Sequence, residues 1–198
     1  MKSELICIGD SLTFGYGVYT SQCWVSKLQK LIGFNVKNAG VNGDTIIGIL
    51  ERSFEDVIIE KPNYAIVMAG TNDFILGRPL ESVLKSMDMI VSEMVSNNIV
   101  PIIGIQIPVE PEMANEIWAD GINYKLINEN ISTYRSYVLK KISMSRDIFC
   151  IDFYKVYADI MQKHIKEYYV DGIHPTPKGH VLMAECSYKF LKENKIYE

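Results

Sequence analysis

The clearest pattern along the chain is a series of short apolar runs, each followed by polar residues and then by a stretch with helical spacing. The first run, residues 5–8, is rich in β-branched side chains and stops at Gly9, which is typical of a buried strand. Runs that are apolar on both faces indicate parallel strands covered by helices on each side. The pattern therefore predicts an α/β fold with a five-stranded parallel sheet. The other four strands are expected at 34–40, 64–69, 102–105 and 148–152.

Between the strands, apolar positions recur with helical spacing, and we expect these positions to face the sheet. Pro101 suggests that the fourth strand begins only near Ile102, because proline donates no hydrogen bond to a strand ladder. The segment 108–121 has two prolines and four acids but no Lys or Arg, which favours a long loop or lid with a short helix. The expected inward positions are Trp24, Leu28 and Leu31 in a helix ending at Gly33, and Ile46, Ile49, Leu50 and Phe54 in a helix over 45–60. Further helices are expected over 80–97, 122–145, 156–166 and 178–193.

Composition and charge narrow the class of protein. A chain of 198 residues, 48% hydrophobic and 22% charged, suits a single domain over 1–198 with a full core. Its net charge of -4 gives no electrostatic reason to expect nucleic acid as a partner. No signal peptide or apolar span of ~18 residues is visible, so we expect a soluble, cytoplasmic protein without stable membrane insertion. The four cysteines form no C-x-x-C pair, which argues against a disulfide framework or a zinc site. The sequence is also compatible with a homo-oligomer.

Polar residues follow each of the first three predicted strands. The loops after parallel strands meet at one edge of the sheet, and here they contain Ser11, then Gly43, then Asn72. Acyl transfer to a serine needs such a set, because the oxyanion of the tetrahedral intermediate must meet preorganised donors. The backbone N–H groups of Ser11 and Gly43 and the side-chain amide of Asn72 would supply three. Each residue taken alone is equally typical of an ordinary turn.

A serine nucleophile also needs a base, and the chain has three histidines. His164 lies among lysines on a predicted helical face, and His180 lies in the last helix, where it could pack or cap. His174 follows Asp171 by three residues in a loop, so the carboxylate can reach Nδ1 and leave Nε2 for the serine. The alternative is a surface loop with a chance acid and histidine. We favour His174 as the general base and Asp171 as its orienting acid.

Four sequence blocks resemble those of the GDSL family of the SGNH hydrolase superfamily: GDSL at 9–12, NAGVNGDT at 38–45, GTND at 70–73 and DGIHP at 171–175. The resemblance implies a flavodoxin-like three-layer α/β/α sandwich with five parallel strands. It also implies an esterase or lipase that needs neither a metal nor an organic cofactor. Carried over by position, it makes Ser11 the nucleophile, His174 the base and Asp171 its acid. The oxyanion hole would comprise Ser11, Gly43 and Asn72.

The sequence thus predicts an acylhydrolase that cleaves small-molecule carboxylic esters through an acyl-enzyme on Ser11. A carbohydrate O-acetyl esterase and a lysophospholipase or thioesterase are alternatives that would use the same site. A flavodoxin-like binding module is the non-enzymatic alternative, but Thr20 stands where a dinucleotide fingerprint needs its third glycine. Such a module would also have no use for the pairing of Asp171 with His174. An acyl pocket, or more commonly the packed underside of a lid, would explain Met113, Ile117, Trp118 and Tyr124.

Overall fold

The strands form a parallel sheet at the centre of the molecule. The computed structural model describes residues 4–118, 121–145, 147–161 and 167–196, and in this part of the chain five strands pair in the order β2-β1-β3-β4-β5. The strands are β1 (Leu5–Gly9), β2 (Val36–Gly40), β3 (Tyr64–Met68), β4 (Val100–Ile105) and β5 (Phe149–Asp152). The α-helices are α1 (Ser11–Phe14), α2 (Trp24–Ile32), α3 (Ile46–Ser53), α4 (Thr71–Ile75), α5 (Leu80–Ser96), α6 (Pro111–Ile117), α7 (Tyr124–Ser143), α8 (Phe153–Met161) and α9 (Pro177–Glu193).

Every residue of β1 is buried, because alternate side chains face two different layers of helices. Ile6 and Ile8 pack in one apolar cluster with α3, α5 and α7. Leu5 and Cys7 pack in the other with α2, α8 and α9. The predicted three-layer sandwich with a five-stranded parallel sheet is confirmed. The strand order reverses between β1 and β3, and open α/β sheets place their ligands in the crevice at such a switch point.

Two of the predicted helix faces are wrong in part. Leu31 is 45% exposed, and Ile32 completes the buried face of α2 instead. Phe54 is 55% exposed because the α-helix stops at Ser53 and continues as a π-helical turn over Phe54–Ile58. The i→i+5 bonding of a π turn shifts the helical register, and Val57 is buried in place of Phe54.

The predicted start of β4 is also wrong. The strand begins at Val100 rather than near Ile102, and Pro101 pairs in register with Ala65 of β3. Pairing between β4 and β5 starts only at Ile102, opposite Phe149. At Pro101 the ladder therefore has a neighbour on one side only, and a proline is tolerated there as it is on an edge strand.

Two helices predicted near the site are present, and one of them begins earlier than expected. The short helix expected within 108–121 is α6, and residues 119–120 lie outside the described part of the chain. The helix expected over 156–166 begins earlier, as α8, and its predicted end with His164 also lies outside the described residues. None of the described helices is long and apolar enough to cross a membrane.

Candidate active site

Ser11 lies two residues after Gly9, the end of β1, and is the first residue of α1 rather than part of the loop that its turn-forming neighbours suggest. Asp10 caps this helix, since its Oδ1 accepts the N–H of Leu12 at 2.9 Å. The helix packs closely on the end of β2, where a Cβ on Gly40 would lie 2.2 Å from the backbone nitrogen of Phe14. A glycine at position 40 therefore lets the serine sit at the sheet edge.

Ser11, His174 and Asp171 form a continuous hydrogen-bonded chain. Ser11 Oγ lies 2.8 Å from Nε2 of His174, and Nδ1 of the same ring lies 2.7 Å from Oδ2 of Asp171. The other carboxylate oxygen accepts the backbone N–H groups of Ile173 at 2.9 Å and His174 at 2.7 Å. All three side chains are buried. The structure thus brings together the three residues that the sequence analysis singles out.

The carboxyl of Asp171 is held in its charged form. Burial by itself would raise its pKa, but hydrogen bonds from the His174 side chain and from the backbone of His174 and Ile173 outweigh burial and lower the pKa. A carboxylate at this position favours the imidazole tautomer with its proton on Nδ1. Nε2 is then free to accept a proton from Ser11.

The loop that holds Asp171 and His174 is closed on itself by backbone hydrogen bonds. Val170 donates to the His174 carbonyl at 2.8 Å, and an isolated bridge pairs Tyr169 with Pro175. Gly172 at its tip has a φ of 86°, a left-handed conformation that suits glycine. The acid and the histidine are therefore fixed by the backbone as well as by each other.

On the other side of Ser11, the loops after β2 and β3 are joined to each other. The Asn72 side chain donates to the Asp44 carbonyl at 2.8 Å. Gly43, the neighbour of Asp44, has a φ of 75°, and a Cβ there would meet no atom within 4 Å. Glycine is thus required by the backbone conformation, on a side open to solvent. Among the hydrogen bonds of the described residues, none uses the N–H of Ser11 or of Gly43.

Arg52, which the sequence analysis does not single out, holds the ends of the first two strands. Its Nη2 donates to the Gly9 carbonyl at 2.9 Å and its Nη1 to the Ala39 carbonyl at 2.8 Å. Its Nε pairs with Asp44 Oδ2 at 2.7 Å, and its Nη1 also reaches Asp56 at 2.6 Å. One guanidinium therefore joins β1, β2 and the Gly43 loop. A lone arginine in an amphipathic helix usually faces solvent, so no signal in the sequence marks this role.

The second described histidine is separate from this chain of side chains. His180 is fully buried, and its Nδ1 accepts the backbone N–H of Trp24 at 3.3 Å. Burial lowers its pKa to about 4, so the ring is neutral at pH 7. His180 therefore fastens α9 to α2, which agrees with the packing role considered for it.

Asp10, beside the serine, is a buried acid with an unusual environment. Burial raises its pKa to about 7, and the nearby charges of Asp44 and Asp73 add to the rise. Its Oδ2 is buried without a hydrogen-bond partner among the described residues. In the same part of the chain, no group of three or more His, Cys, Asp or Glu side chains is arranged to hold a metal ion.

Most of the chain matches a known protein family in sequence. Residues 7–182 match the sequence model of the GDSL-like Lipase/Acylhydrolase family. The chain belongs to this family. The resemblance carried by the four sequence blocks is thereby confirmed.

Relatives of this GDSL family chain include proteins of known structure and curated esterases. A solved structure of a G-D-S-L family protein from Desulfitobacterium hafniense is similar at 26% identity and a TM-score of 0.78, over 93% of this chain and 97% of that one. Esterase TesA of Pseudomonas aeruginosa is 37% identical over 78 residues, which cover 37% of this chain and 39% of the relative. An acetylxylan esterase of Xylanibacter ruminicola is 24% identical over 212 residues, which cover 92% of this chain and 42% of the relative. The matches thus span about two fifths of these curated relatives.

Proposed function

We propose that the chain is a one-domain hydrolase of carboxylic esters in which Ser11 is the nucleophile. The observation that supports this proposal is the hydrogen-bonded chain from Ser11 Oγ through His174 to Asp171, with links of 2.8 Å and 2.7 Å. A serine hydroxyl is a weak nucleophile until a base removes its proton, and an imidazole at this distance can do so. Membership of the GDSL-like Lipase/Acylhydrolase family agrees with ester hydrolysis.

The first half of the reaction would form an acyl-enzyme. Ser11 Oγ attacks the ester carbonyl carbon while its proton passes to Nε2 of His174, and the imidazolium is stabilised by the Asp171 carboxylate. The tetrahedral intermediate then expels the alcohol, whose oxygen takes the proton from Nε2. In the second half, a water molecule loses its proton to Nε2 and attacks the acyl carbon. Release of the acid returns the proton to Ser11.

The negative charge on the intermediate would be met from the opposite side of the serine. The N–H groups of Ser11 and Gly43 have no acceptor among the described residues, so both are available to an oxyanion. The Asn72 side-chain amide has two N–H groups. One donates to the Asp44 carbonyl, and the second can donate to the substrate. The hydrogen bond to Asp44 would fix the amide beforehand and avoid reorganisation during the reaction.

A second, narrower candidate is hydrolysis of O-acetylated carbohydrates. It is favoured by the relative named acetylxylan esterase, whose match covers 92% of this chain. A lysophospholipase or thioesterase acting on longer acyl chains is the competing candidate. The lengths of acyl chain that the enzyme accepts separate the two.

The test of the proposed function is hydrolysis of p-nitrophenyl esters with increasing acyl length, followed at 400 nm for wild type and Ser11→Ala. We expect Ser11→Ala to lose roughly a millionfold in kcat, since removal of a catalytic serine has this scale. Ser136→Ala is the matched control, because Ser136 lies on the exposed side of α7. His164→Ala should also behave as wild type. Equal rates for wild type and Ser11→Ala, or no hydrolysis of any ester, would contradict the proposal.

A further inference from the structure

Two aromatic side chains from different segments lie beside the His174 ring. The Tyr16 ring centroid lies 4.4 Å from that of His174, and the Trp118 centroid lies 5.7 Å from it. The two aromatic centroids are 6.4 Å apart, and their planes are tilted by 48°. Tyr16 is 39% exposed and Trp118 is 47% exposed, whereas the histidine beside them is buried. Two large, part-exposed aromatic side chains therefore lie next to the proposed base.

Both aromatic residues are anchored to the residues that would react. The backbone N–H of Tyr16 donates to the Ser11 carbonyl at 3.1 Å. The segment leading to Trp118 is joined to the His174 loop, because the Glu110 N–H donates to the Gly172 carbonyl at 2.7 Å. The Tyr169 hydroxyl adds a second link to that segment by donating to the carbonyl of Pro108. The positions of the two rings are thus set relative to Ser11 and His174.

The reaction itself decides which part of a substrate these rings would touch. In ester hydrolysis the histidine gives its proton to the oxygen of the departing alcohol, so that oxygen must lie at Nε2. The acyl carbonyl oxygen must instead point toward the donors of Ser11, Gly43 and Asn72. Groups that flank the imidazole therefore contact the alcohol part of the ester. Tyr16 and Trp118 are the two aromatic rings next to the imidazole.

We infer that Tyr16 and Trp118 form an alcohol subsite that binds a sugar ring, so that the substrate class is an O-acylated carbohydrate. This inference rests on the proposed function. A sugar ring offers apolar C–H groups on its faces and hydroxyls on its rim, which suits a pair of part-exposed aromatic side chains in water. A phosphate-bearing alcohol is disfavoured, because residues 106–118 contain Glu110, Glu112 and Glu116 but no Lys or Arg.

The first test compares two acetyl esters that differ only in the alcohol. Acetate release from a mono-O-acetylated methyl β-xylopyranoside and from ethyl acetate gives a ratio of kcat/KM values. Tyr16→Ala and Trp118→Ala should each lower this ratio about threefold to tenfold, the value of one aromatic contact. Trp118→Phe should retain most of the ratio, since a ring remains. Tyr19→Ala is the control, because Tyr19 is a neighbouring tyrosine whose ring is largely exposed.

The second test measures binding without hydrolysis. The chain has two tryptophans, and Trp24 is fully buried, so acrylamide quenching of fluorescence in Ser11→Ala reports on Trp118. The sugar acetate at tens of millimolar should shield Trp118 from acrylamide. The same titration on Ser11→Ala with Trp118→Phe should show no shielding. Choline acetate serves as the comparison ligand, because aromatic faces also bind quaternary ammonium groups.

The outcomes separate this inference from the proposed function. An unchanged kcat/KM ratio in the alanine variants, or no shielding by the sugar acetate, would overturn the subsite while ester hydrolysis by wild type still stood. Shielding of Trp118 in a protein that hydrolyses neither ester would support the subsite and contradict the proposed function. Shielding by choline acetate alone would overturn the assignment to a sugar.

Discussion

Replacement of Arg52 by methionine tests whether one guanidinium holds the loops around the serine. Methionine has a similar length and no donor, so the change leaves the carbonyls of Gly9 and Ala39 and the carboxylate of Asp44 without their partner. Each carbonyl bond is worth about 1 kcal/mol, and the bond to the charged Asp44 about 1.5–3 kcal/mol. The pair with Asp56, whose side chain is 34% exposed, adds little. We therefore expect Arg52→Met to lower the free energy of unfolding by about 3–5 kcal/mol.

Thermal unfolding followed by circular dichroism measures this loss. For a chain of this size, each kcal/mol lowers Tm by about 2–4 °C, so Arg52→Met should unfold about 6–20 °C below wild type. Arg52→Lys should recover only part of the loss, because one ammonium cannot serve all the acceptors at once. The control is Lys37→Met, which removes an ion pair with the part-exposed Glu60 and should change stability by less than about 1 kcal/mol.

Activity should fall together with stability. Arg52 holds Asp44, and the Asp44 carbonyl accepts the hydrogen bond that orients Asn72. A small displacement of the proposed oxyanion donors would be enough to lower kcat about tenfold to a hundredfold at a temperature where the variant is folded. A Tm within 2 °C of wild type, or unchanged kcat in the folded variant, would refute this account of Arg52.

Three further substitutions probe the site and its supports. Asp171→Asn should lower kcat for p-nitrophenyl acetate about 10³- to 10⁴-fold, because the amide no longer holds the imidazole in the required tautomer, and a loss under tenfold would contradict that role. Asp10 has a raised pKa of about 7, so the folded state binds its proton more tightly than the unfolded state, and stability should fall as pH rises from about 4 to 7. In urea titrations, the free energy of unfolding of wild type should fall by up to about 4 kcal/mol across that pH range because of this group. The fall should be distinctly smaller for Asp10→Asn, and equal falls in the two proteins would refute the raised pKa of Asp10. Gly172→Ala should lower the free energy of unfolding by about 2–4 kcal/mol, since its Cβ would lie 2.5 Å from the Ala114 nitrogen at a φ of 86°. The control is Gly77→Ala, which has a φ of 71° and open space around the added Cβ, and it should lower the free energy of unfolding by only about 1 kcal/mol.

The sheet could be predicted from the sequence because burial on both faces leaves a signal in each strand. β1 and β3 are short and almost wholly apolar, with Gly9 at the end of β1 and Gly70 two residues after β3, and this length and these glycines favour a strand over a buried helix. The errors arise where the pairing of a neighbouring strand or a change in helix type alters which residues are paired or buried. Pro101 lies inside β4 because β5 has not yet begun to pair, and Phe54 faces solvent because of a π turn. Neither condition is visible in the local sequence.

The candidate site could be predicted only in part, for a similar reason. Ser11, Asp171 and His174 belong to blocks with a recognisable order, and the structure brings the three side chains into contact. Arg52 and Tyr16 have no such marker, because their contacts exist only after distant segments have packed together. The catalytic roles and the oxyanion donors stay predictions until the variants are measured.

The separation between Ser11 and His174 has a consequence for when the protein becomes active. The two residues are 163 positions apart in the chain, so the serine leaves the ribosome long before the histidine is synthesised. The His174 loop leads into α9. This helix is joined to α2 by the hydrogen bond from the backbone N–H of Trp24 to the His180 ring. Closing so long a loop is slow relative to local folding. Under the proposed mechanism, a chain synthesised only as far as Ser11 would have its nucleophile without its base, and ester cleavage would begin only after the His174 loop and α9 have been synthesised and have folded onto α2.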